Sequence, residues 1–191
     1  MIKINWNLAK EILIIMKMLE QLVKLMNEHQ MVSVYGSEED FYYTGYIQAV
    51  DDTGILLSKQ NYGGYNNGFV FFTDIVTFET DSIDTKRHQK MFQIRGIEPE
   101  RFEIPKTDNL FETILEVCFE NKLFCNIFKS ENDRSDVTGY ISELDKEYIC
   151  LNCIDKYGIY FGKCYIAKSD IYLLFIEGED EQVRRLLYEN T

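Results

Sequence analysis

One seven-residue pattern occurs twice in this chain at a fixed separation. Gly-Tyr-Ile-Gln-Ala-Val-Asp at residues 45–51 is followed by Ile-Leu-Leu at 55–57, and Gly-Tyr-Ile-Ser-Glu-Leu-Asp at 139–145 is followed by Ile-Cys-Leu at 149–151. The glycines, the aspartates and the closing leucines are each 94 residues apart, with no gap between them. This shared spacing predicts an internal repeat, and therefore two copies of one structural unit.

The likeness between the two copies extends to both sides of this pattern. Upstream, residues 32–40 match residues 125–133 as an apolar strand pattern that runs into a polar turn. Downstream, residues 68–75 match residues 162–171, with two additional residues in the second copy. The predicted repeat therefore covers nearly the whole chain.

Each copy begins with the spacing of an amphipathic helix and continues with short strand patterns. Apolar residues recur at steps of three and four, which predicts a first helix that ends near Glu28 and a second helix that Asp108 or Asn109 caps. The apolar helix positions are Ile12, Ile15, Leu19, Leu22 and Met26 in the first copy and Phe111, Ile114, Leu115 and Cys118 in the second. About five short strands joined by turns follow the first helix, a pattern that predicts a small barrel or a strongly bent sheet closed on itself.

The predicted fold class is therefore α+β and mostly β, with two tandem five-stranded barrels. Each barrel is preceded by an α-helix and followed by a short helix, for which each copy has a basic pair and a short apolar group near its end. The predicted domains are residues 1–97 and residues 108–191. Residues 98–107 contain both prolines of the chain and are the predicted linker.

The helix, the bent strands and a glycine six residues before an aspartate resemble the Sm-like family, which contains the Sm, Lsm and Hfq barrels. Gly45 to Asp51 and Gly139 to Asp145 match the first motif of that family. The resemblance implies that each glycine lets its strand bend sharply and that each aspartate begins the loop to the next strand. It also implies assembly through edge strands, either between the two copies or in a larger ring.

The residues that contact RNA in the Sm-like family have no match at the corresponding positions. The loops after Asp51 and Asp145 lack the base-contacting asparagine, and residues 72–75 and 168–171 lack the Arg-Gly or Lys-Gly pair of the second motif. Each of these two stretches contains an aspartate instead, which is unfavourable near a phosphate. The resemblance therefore implies the fold and an assembly role, whereas the RNA-contacting residues of the family do not carry over to this chain.

The charge balance and the cysteines narrow the classes of partner and compartment. With 20 Lys and Arg against 32 Asp and Glu, the net charge of −12 opposes non-specific binding to phosphate backbones, so we expect no DNA partner. The five cysteines are an odd number and follow no secretory signal, which predicts reduced thiols in a cytoplasmic protein. The apolar run at residues 12–16 is far shorter than the roughly 20 residues of a membrane span, so no membrane partner is expected.

No pattern of residues indicates catalysis, a metal or a cofactor. Cys150 and Cys153 have a spacing found in zinc sites, but residues three apart on a strand face opposite sides, which favours buried free thiols. His29 at the end of the first helix fits a structural role. The sequence has neither a nucleophile elbow nor a phosphate-binding glycine loop. We therefore predict a non-enzymatic protein without a cofactor or a metal.

The most unusual segment is the loop at residues 60–67, which combines two glycines, two tyrosines and three asparagines. Tyrosine can stack on a base or fill a pocket of a partner, and asparagine forms directed hydrogen bonds. Residues 155–161 keep the aromatic and glycine character in the second copy, and residues 86–101 hold a basic run. The candidate binding residues are Asn61, Tyr62, Tyr65, Asn66, Lys86, Arg87, Tyr157 and Tyr160.

Two functional hypotheses follow from these residues. The first is a binding or assembly module that acts through protein–protein contacts or self-association. The alternative is an RNA-binding protein that uses the tyrosine-bearing loop and the basic stretch at residues 86–101. Salt dependence separates them, because contacts to phosphates weaken steeply as the salt concentration rises.

Overall fold

A computed structural model describes residues 6–36, 42–60, 65–96, 104–105, 108–129 and 136–191, with the backbone alone at residues 6–12, 60 and 65. The helices are α1 (Trp6–Asn27), α2 (Ile83–Arg95), α3 (Leu110–Glu120) and α4 (Glu179–Glu189). The strands are β1 (Met31–Tyr35), β2 (Tyr42–Val50), β3 (Gly54–Gln60), β4 (Tyr65–Phe71), β5 (Thr77–Thr80), β6 (Phe124–Lys129), β7 (Asp136–Leu144), β8 (Tyr148–Ile154), β9 (Tyr160–Ala167) and β10 (Ile171–Ile176). Single-turn 3-10 helices follow β4 at Phe72–Asp74 and β9 at Lys168–Asp170.

The ten strands form one open antiparallel sheet in the order β5-β1-β2-β3-β4-β10-β6-β7-β8-β9. The prediction of two tandem five-stranded Sm-like barrels is wrong, although the mostly β composition is found. The outer edge of β4 pairs with β10, from Val70 opposite Leu173 to Asn67 opposite Ile176, and this pairing continues the sheet. Because β4 pairs with β10, neither group of five strands closes on itself, and the sheet spans both predicted domains. We call this β4–β10 junction the seam.

Two apolar cores lie on the sheet and meet at the seam. Alternate residues of a strand face opposite sides, so β3 places Ile55 and Leu57 in one core and Leu56 in the other. The first core, under α1, contains Leu22, Leu25, Val32, Val34, Ile47, Ile55, Leu57, Val70, Phe72, Ile75 and Leu173. The second core, under α3, contains Leu56, Phe69, Leu110, Phe111, Ile114, Leu115, Cys118, Cys125, Ile127, Ile141, Ile149, Leu151, Cys153, Ile166, Ile171, Leu174 and Ile176. At roughly 1.5 to 3 kcal/mol for each fully buried aliphatic side chain, these cores stabilise the open sheet.

The start of α3 is held by a carboxylate from the other side of the seam. Asn109 caps the helix, as the sequence predicts, by accepting a hydrogen bond from the Glu112 amide. Asp51, in the turn between β2 and β3, accepts a second one from the Leu110 amide at 2.5 Å through Oδ2. Its Oδ1 accepts from the amide and the hydroxyl of Thr53 and from the Gly54 amide. One aspartate therefore orders its own turn and the first turn of α3.

Helix α1 has 22 residues and α3 has 11, although both lie before the first strand of their part of the sheet. The additional turns of α1 carry four consecutive apolar side chains that are 40–54% exposed: Leu13, Ile14, Ile15 and Met16. Among the described residues, no helix is long and apolar enough to span a membrane. The predicted linker lies mostly outside the described residues, and within it Ile104 packs against the second core.

Candidate functional site: the edge strand β9

Strand β9 is one of the two outer strands of the sheet. It pairs with β8 along one edge, from Ala167 opposite Tyr148 to Tyr160 opposite Ile154. No described strand pairs with its other edge. The opposite end of the sheet is β5, which has four residues where β9 has eight. An unpaired edge presents backbone N–H and C=O groups that can accept a further strand.

The outward side of β9 carries large aromatic side chains. Ile166 points into the second core and is 3% exposed, whereas Phe161 and Tyr165 are 64% and 61% exposed. Tyr148 on β8 lies beside Tyr165, with 5.9 Å between ring centroids, and is itself 37% exposed. Exposed apolar groups clustered along an unpaired edge are typical of an interaction surface. We call Tyr148, Phe161 and Tyr165 the aromatic edge.

The seam shows how the corresponding surface of the other half is covered. Leu56 pairs with Phe69 across β3 and β4, as Cys150 pairs with Tyr165 across β8 and β9. Leu56 and Phe69 are fully buried, because β10 pairs with β4 and the Phe111 ring of α3 lies 5.5 Å from the Phe69 ring. The aromatic edge has no such cover among the described residues, so it is the exposed equivalent of a buried interface.

Both lysines close to the aromatic edge have a partner within the chain. Lys163 lies between Phe161 and Tyr165 on β9. It donates a hydrogen bond of 2.7 Å to the carboxylate of Glu143. This carboxylate raises the pKa of Lys163. In the adjoining turn, the Lys156 ammonium lies 5.1 Å from the centre of the Tyr157 ring. The surface therefore offers aromatic area and backbone hydrogen bonds, and the charge of Lys163 is neutralised by Glu143.

Two of the sequence-predicted binding residues lie at this edge. Tyr157 is in the turn between β8 and β9 and is 65% exposed, and Tyr160 begins β9 and is 48% exposed. Lys86 and Arg87 lie on α2, which packs on β1 and β2 towards the other end of the sheet. Lys86 forms an ion pair of 3.5 Å with Asp81. The structure thus does not bring the basic pair and these tyrosines into one site.

The remaining candidates belong to the loop at residues 60–67. Asn61 and Tyr62 lie outside the described residues, and Tyr65 begins β4 opposite Gln60. Asn66 is half-buried at the seam, and its Oδ1 atom has no hydrogen-bond partner. This atom lies close to Gly178, which precedes α4. The position of Asn66 indicates a contact within the fold.

The four motif residues occupy equivalent positions in the two halves. Gly45 pairs with Lys59 and Gly139 with Cys153, each where two strands approach closely. Asp51 and Asp145 both follow a strand and begin a turn. They differ in their partners, since Asp145 accepts one exposed hydrogen bond, from the Glu147 amide at 3.1 Å, whereas Asp51 also binds α3.

The cysteines are free thiols, and four of the five are buried. Cys153 lies in the second core, whereas Cys150 pairs with Tyr165 on the other side of the sheet. Burial, together with the neighbouring Cys164 and Cys150, raises the pKa of Cys153 to about 11, so this thiol is protonated at neutral pH. No group of three or more potential metal ligands occurs among the described residues.

A shallow cavity of about 380 Å³ lies between the two 3-10 turns at the seam. Lys168 borders this cavity with a largely buried side chain, but its ammonium is already bound to the Glu112 carboxylate at 2.5 Å. Phe71 and Tyr172 form apolar walls. Lys168 is the one cation among the residues that line this cavity, and its charge is neutralised within the fold by Glu112.

Sequence reasoning did not single out Phe161, Tyr165 or Tyr148. The signal was present as aromatic residues at positions 161 and 165 around Lys163, but such an alternation occurs in edge strands and interior strands alike. Whether β9 is an edge depends on strand order, which the alternation does not contain.

Glu181 is a buried carboxylate of α4 at the seam, only 3% exposed, and lies against Gly178 opposite Asn66. Burial raises its pKa more than the nearby Arg184 lowers it. Between the ordinary pKa of glutamate and this raised pKa, the native state binds more protons than the unfolded state, so stability falls as the pH rises. We expect the free energy of unfolding to increase as the pH is lowered towards the ordinary pKa of glutamate, and this increase to be smaller in Glu181→Gln.

Urea unfolding at several pH values measures this difference. Glu179→Gln, which makes the same charge change at an exposed position of α4, is the control and should keep the wild-type slope. Parallel pH profiles for wild type and Glu181→Gln would contradict the prediction.

The aromatic edge is assigned as the candidate binding site from its geometry alone. Comparisons of this chain with models of protein families, with curated proteins and with solved structures find no match.

Proposed function

We propose that this chain is a non-catalytic protein-binding module that accepts a strand of a partner on the free edge of β9. One observation carries the proposal: β9 ends the sheet with Phe161 and Tyr165 more than 60% exposed, while the edge of the equivalent strand β4 is paired with β10. Addition of a strand supplies backbone hydrogen bonds for affinity, and side-chain pockets supply specificity.

The seam is an example of such strand addition within the same chain. Four residue pairs join β10 to β4, and Leu174 lies directly opposite Phe69. Both side chains are fully buried in the second core. A partner strand with alternating apolar residues would cover the aromatic edge in the same way.

A protein strand fits this surface better than RNA does. Lys163 is bound to Glu143, and Lys156 lies over the Tyr157 ring. RNA binding draws much of its affinity from cations that are free to meet phosphates, and the net charge of −12 opposes it. The aromatic rings and the unpaired backbone suit a polypeptide.

A peptide copy of β10 provides a direct probe. A fluorescently labelled peptide with the sequence of residues 168–179 contains the whole strand and its flanking charges. We expect it to bind the full chain with a Kd on the order of 10–100 µM, measured by fluorescence anisotropy at low chain concentration. Tyr165→Lys should weaken this binding at least about tenfold, because a lysine at an edge position disfavours strand addition.

Two controls define this result. Ile94→Lys places the same added charge at a similarly exposed position of α2, which packs on β1 and β2 away from β9, and it should bind within about twofold of wild type. A scrambled peptide should not bind. If the β10 peptide fails to bind, or binds wild type and Tyr165→Lys alike, the proposed function is wrong.

A further inference from the structure

We propose that the strand accepted by β9 is β5 of a second copy of this chain, so that copies associate head to tail. The inference rests on the proposed function, because it names the partner of the same edge. It follows from three features of the structure: the register of the seam, the exposed apolar residues beside β5, and the length of α1.

The register of the seam indicates which residues would meet. Val34 of β1 pairs with Phe78 of β5, as Ile127 of β6 pairs with Leu174 of β10. Phe78 is therefore the counterpart of Leu174, which lies opposite Phe69 at the seam.

On the other strand, Tyr165 is the counterpart of Phe69, because each pairs with the equivalent residue of the preceding strand, Cys150 or Leu56. Repeating the seam between two copies would thus place Phe78 of one copy opposite Tyr165 of the next. Aromatic cross-strand pairs of this kind are favourable.

Exposed apolar side chains lie on both sides of β5. Val76, just before the strand, is 63% exposed, and Ile83, at the start of α2, is 87% exposed. Helix α4 follows β10 as α2 follows β5, and the residue before it, Gly178, lies against Asn66 near the start of β4. By the same relation, Ile83 of a second copy would lie near the Phe161 end of β9. Two isolated apolar groups would then become buried together.

The additional length of α1 fits the same arrangement. At the seam, α3 covers the outer side of β4 through Phe111, whose ring lies 4.8 Å from that of Phe71. Leu110, the first residue of α3, stands as far before the start of β6 as Lys17 of α1 stands before the start of β1, so the turns at residues 6–16 extend beyond the length of α3. In a second copy they would pass over Tyr148 and the neighbouring turn of the first. The exposed apolar residues 13–16 provide the surface for this contact.

The association is heterologous, because the surface near β5 on one copy meets β9 on another, and it therefore builds rings or chains. β5 is shorter and more polar than β10, with Thr77, Glu79 and Thr80 exposed. We therefore expect a Kd of about 1–100 µM for this contact. Raising the salt concentration should strengthen it, because the net charge of −12 makes copies repel one another.

Sedimentation velocity of the full chain between about 1 and 200 µM tests the inference through two variants that block opposite surfaces. Tyr165→Lys blocks the β9 edge, and the double variant Val76→Lys/Ile83→Lys blocks the surface near β5. All three positions are more than 60% exposed, so neither variant disturbs a core. Wild type should exceed the 22.6 kDa monomer as concentration rises. Each variant alone should remain monomeric.

Mixing the two variants gives the decisive result. Each variant keeps one intact surface, so an equimolar mixture should form a 1:1 dimer and nothing larger. A monomeric mixture, a monomeric wild type, or self-association of the double variant alone would overturn the inference, the last by indicating a contact between two β9 edges. If wild type stays monomeric but still binds the β10 peptide through Tyr165, the second-copy inference fails and the proposed function stands. If the peptide also fails to bind, both are wrong.

Discussion

Replacing Gly139 by alanine is expected to destabilise the chain by roughly 3 kcal/mol or more, or to prevent folding. A Cβ atom at this position would lie 1.9 Å from the carbonyl oxygen of Asn152 and 2.9 Å from its carbonyl carbon. Both atoms belong to the backbone of β8, which pairs with β7 on one side and β9 on the other. The clash can be relieved only by separating the paired strands.

Gly45→Ala should have the same effect in the other half. Its added Cβ would lie 2.2 Å from the carbonyl oxygen of Ser58 on β3. Gly96→Ala is the matched control, since no atom lies within 4 Å of the new Cβ and only the left-handed φ of 61° opposes it. That control should cost about 1 kcal/mol.

Urea unfolding of the purified variants, or their soluble yield where folding fails, measures these costs. A Gly139→Ala chain with a free energy of unfolding within about 1 kcal/mol of wild type would show that the two strands do not approach as closely as described.

Asp51→Ala is expected to lower the free energy of unfolding by about 2–3 kcal/mol, whereas Asp145→Ala should lower it by less than about 0.5 kcal/mol. The two aspartates occupy equivalent turns, but Asp51 accepts four hydrogen bonds and Asp145 accepts one. One of the four comes from the Leu110 amide, so the substitution also removes negative charge from the start of α3.

Hydrogen exchange locates the effect of this substitution. In Asp51→Ala, the amides at the start of α3 should exchange faster than in wild type, while those of α1 should not change. Equal losses of stability for Asp51→Ala and Asp145→Ala would mean that the contact across the seam contributes nothing beyond the turn itself.

The local elements of this protein follow from residue patterns of short range. Helical spacing up to Met26 gives α1, which ends at Asn27, and Asn109 caps α3 as predicted. The glycine of each seven-residue pattern lies where β2 or β7 closely approaches its neighbour. Such features depend on a few adjacent side chains and on backbone sterics, which an isolated segment already contains.

The candidate site was only partly predictable. The aromatic and glycine character of residues 155–161 predicts Tyr157 and Tyr160 as binding residues, and they lie in the turn before β9 and at its first residue; the same reasoning does not select Phe161 and Tyr165. Aromatic residues are common in strands of every position in a sheet, so their presence does not indicate an exposed edge. The exposure of Phe161 and Tyr165 results from the position of β9 at the end of the strand order, which depends on contacts distant in sequence.

The sequence by itself determined the helices, most of the short strands and the acidic turns. Only the tertiary structure decided that β4 pairs with β10, and hence that the sheet stays open and leaves β9 unpaired. The physical reason is that an edge strand with alternating apolar residues can pair with any strand of matching pattern. The choice among such partners depends on which pairing buries Phe69 and Leu174 together beneath α3, and that burial involves residues more than a hundred positions apart.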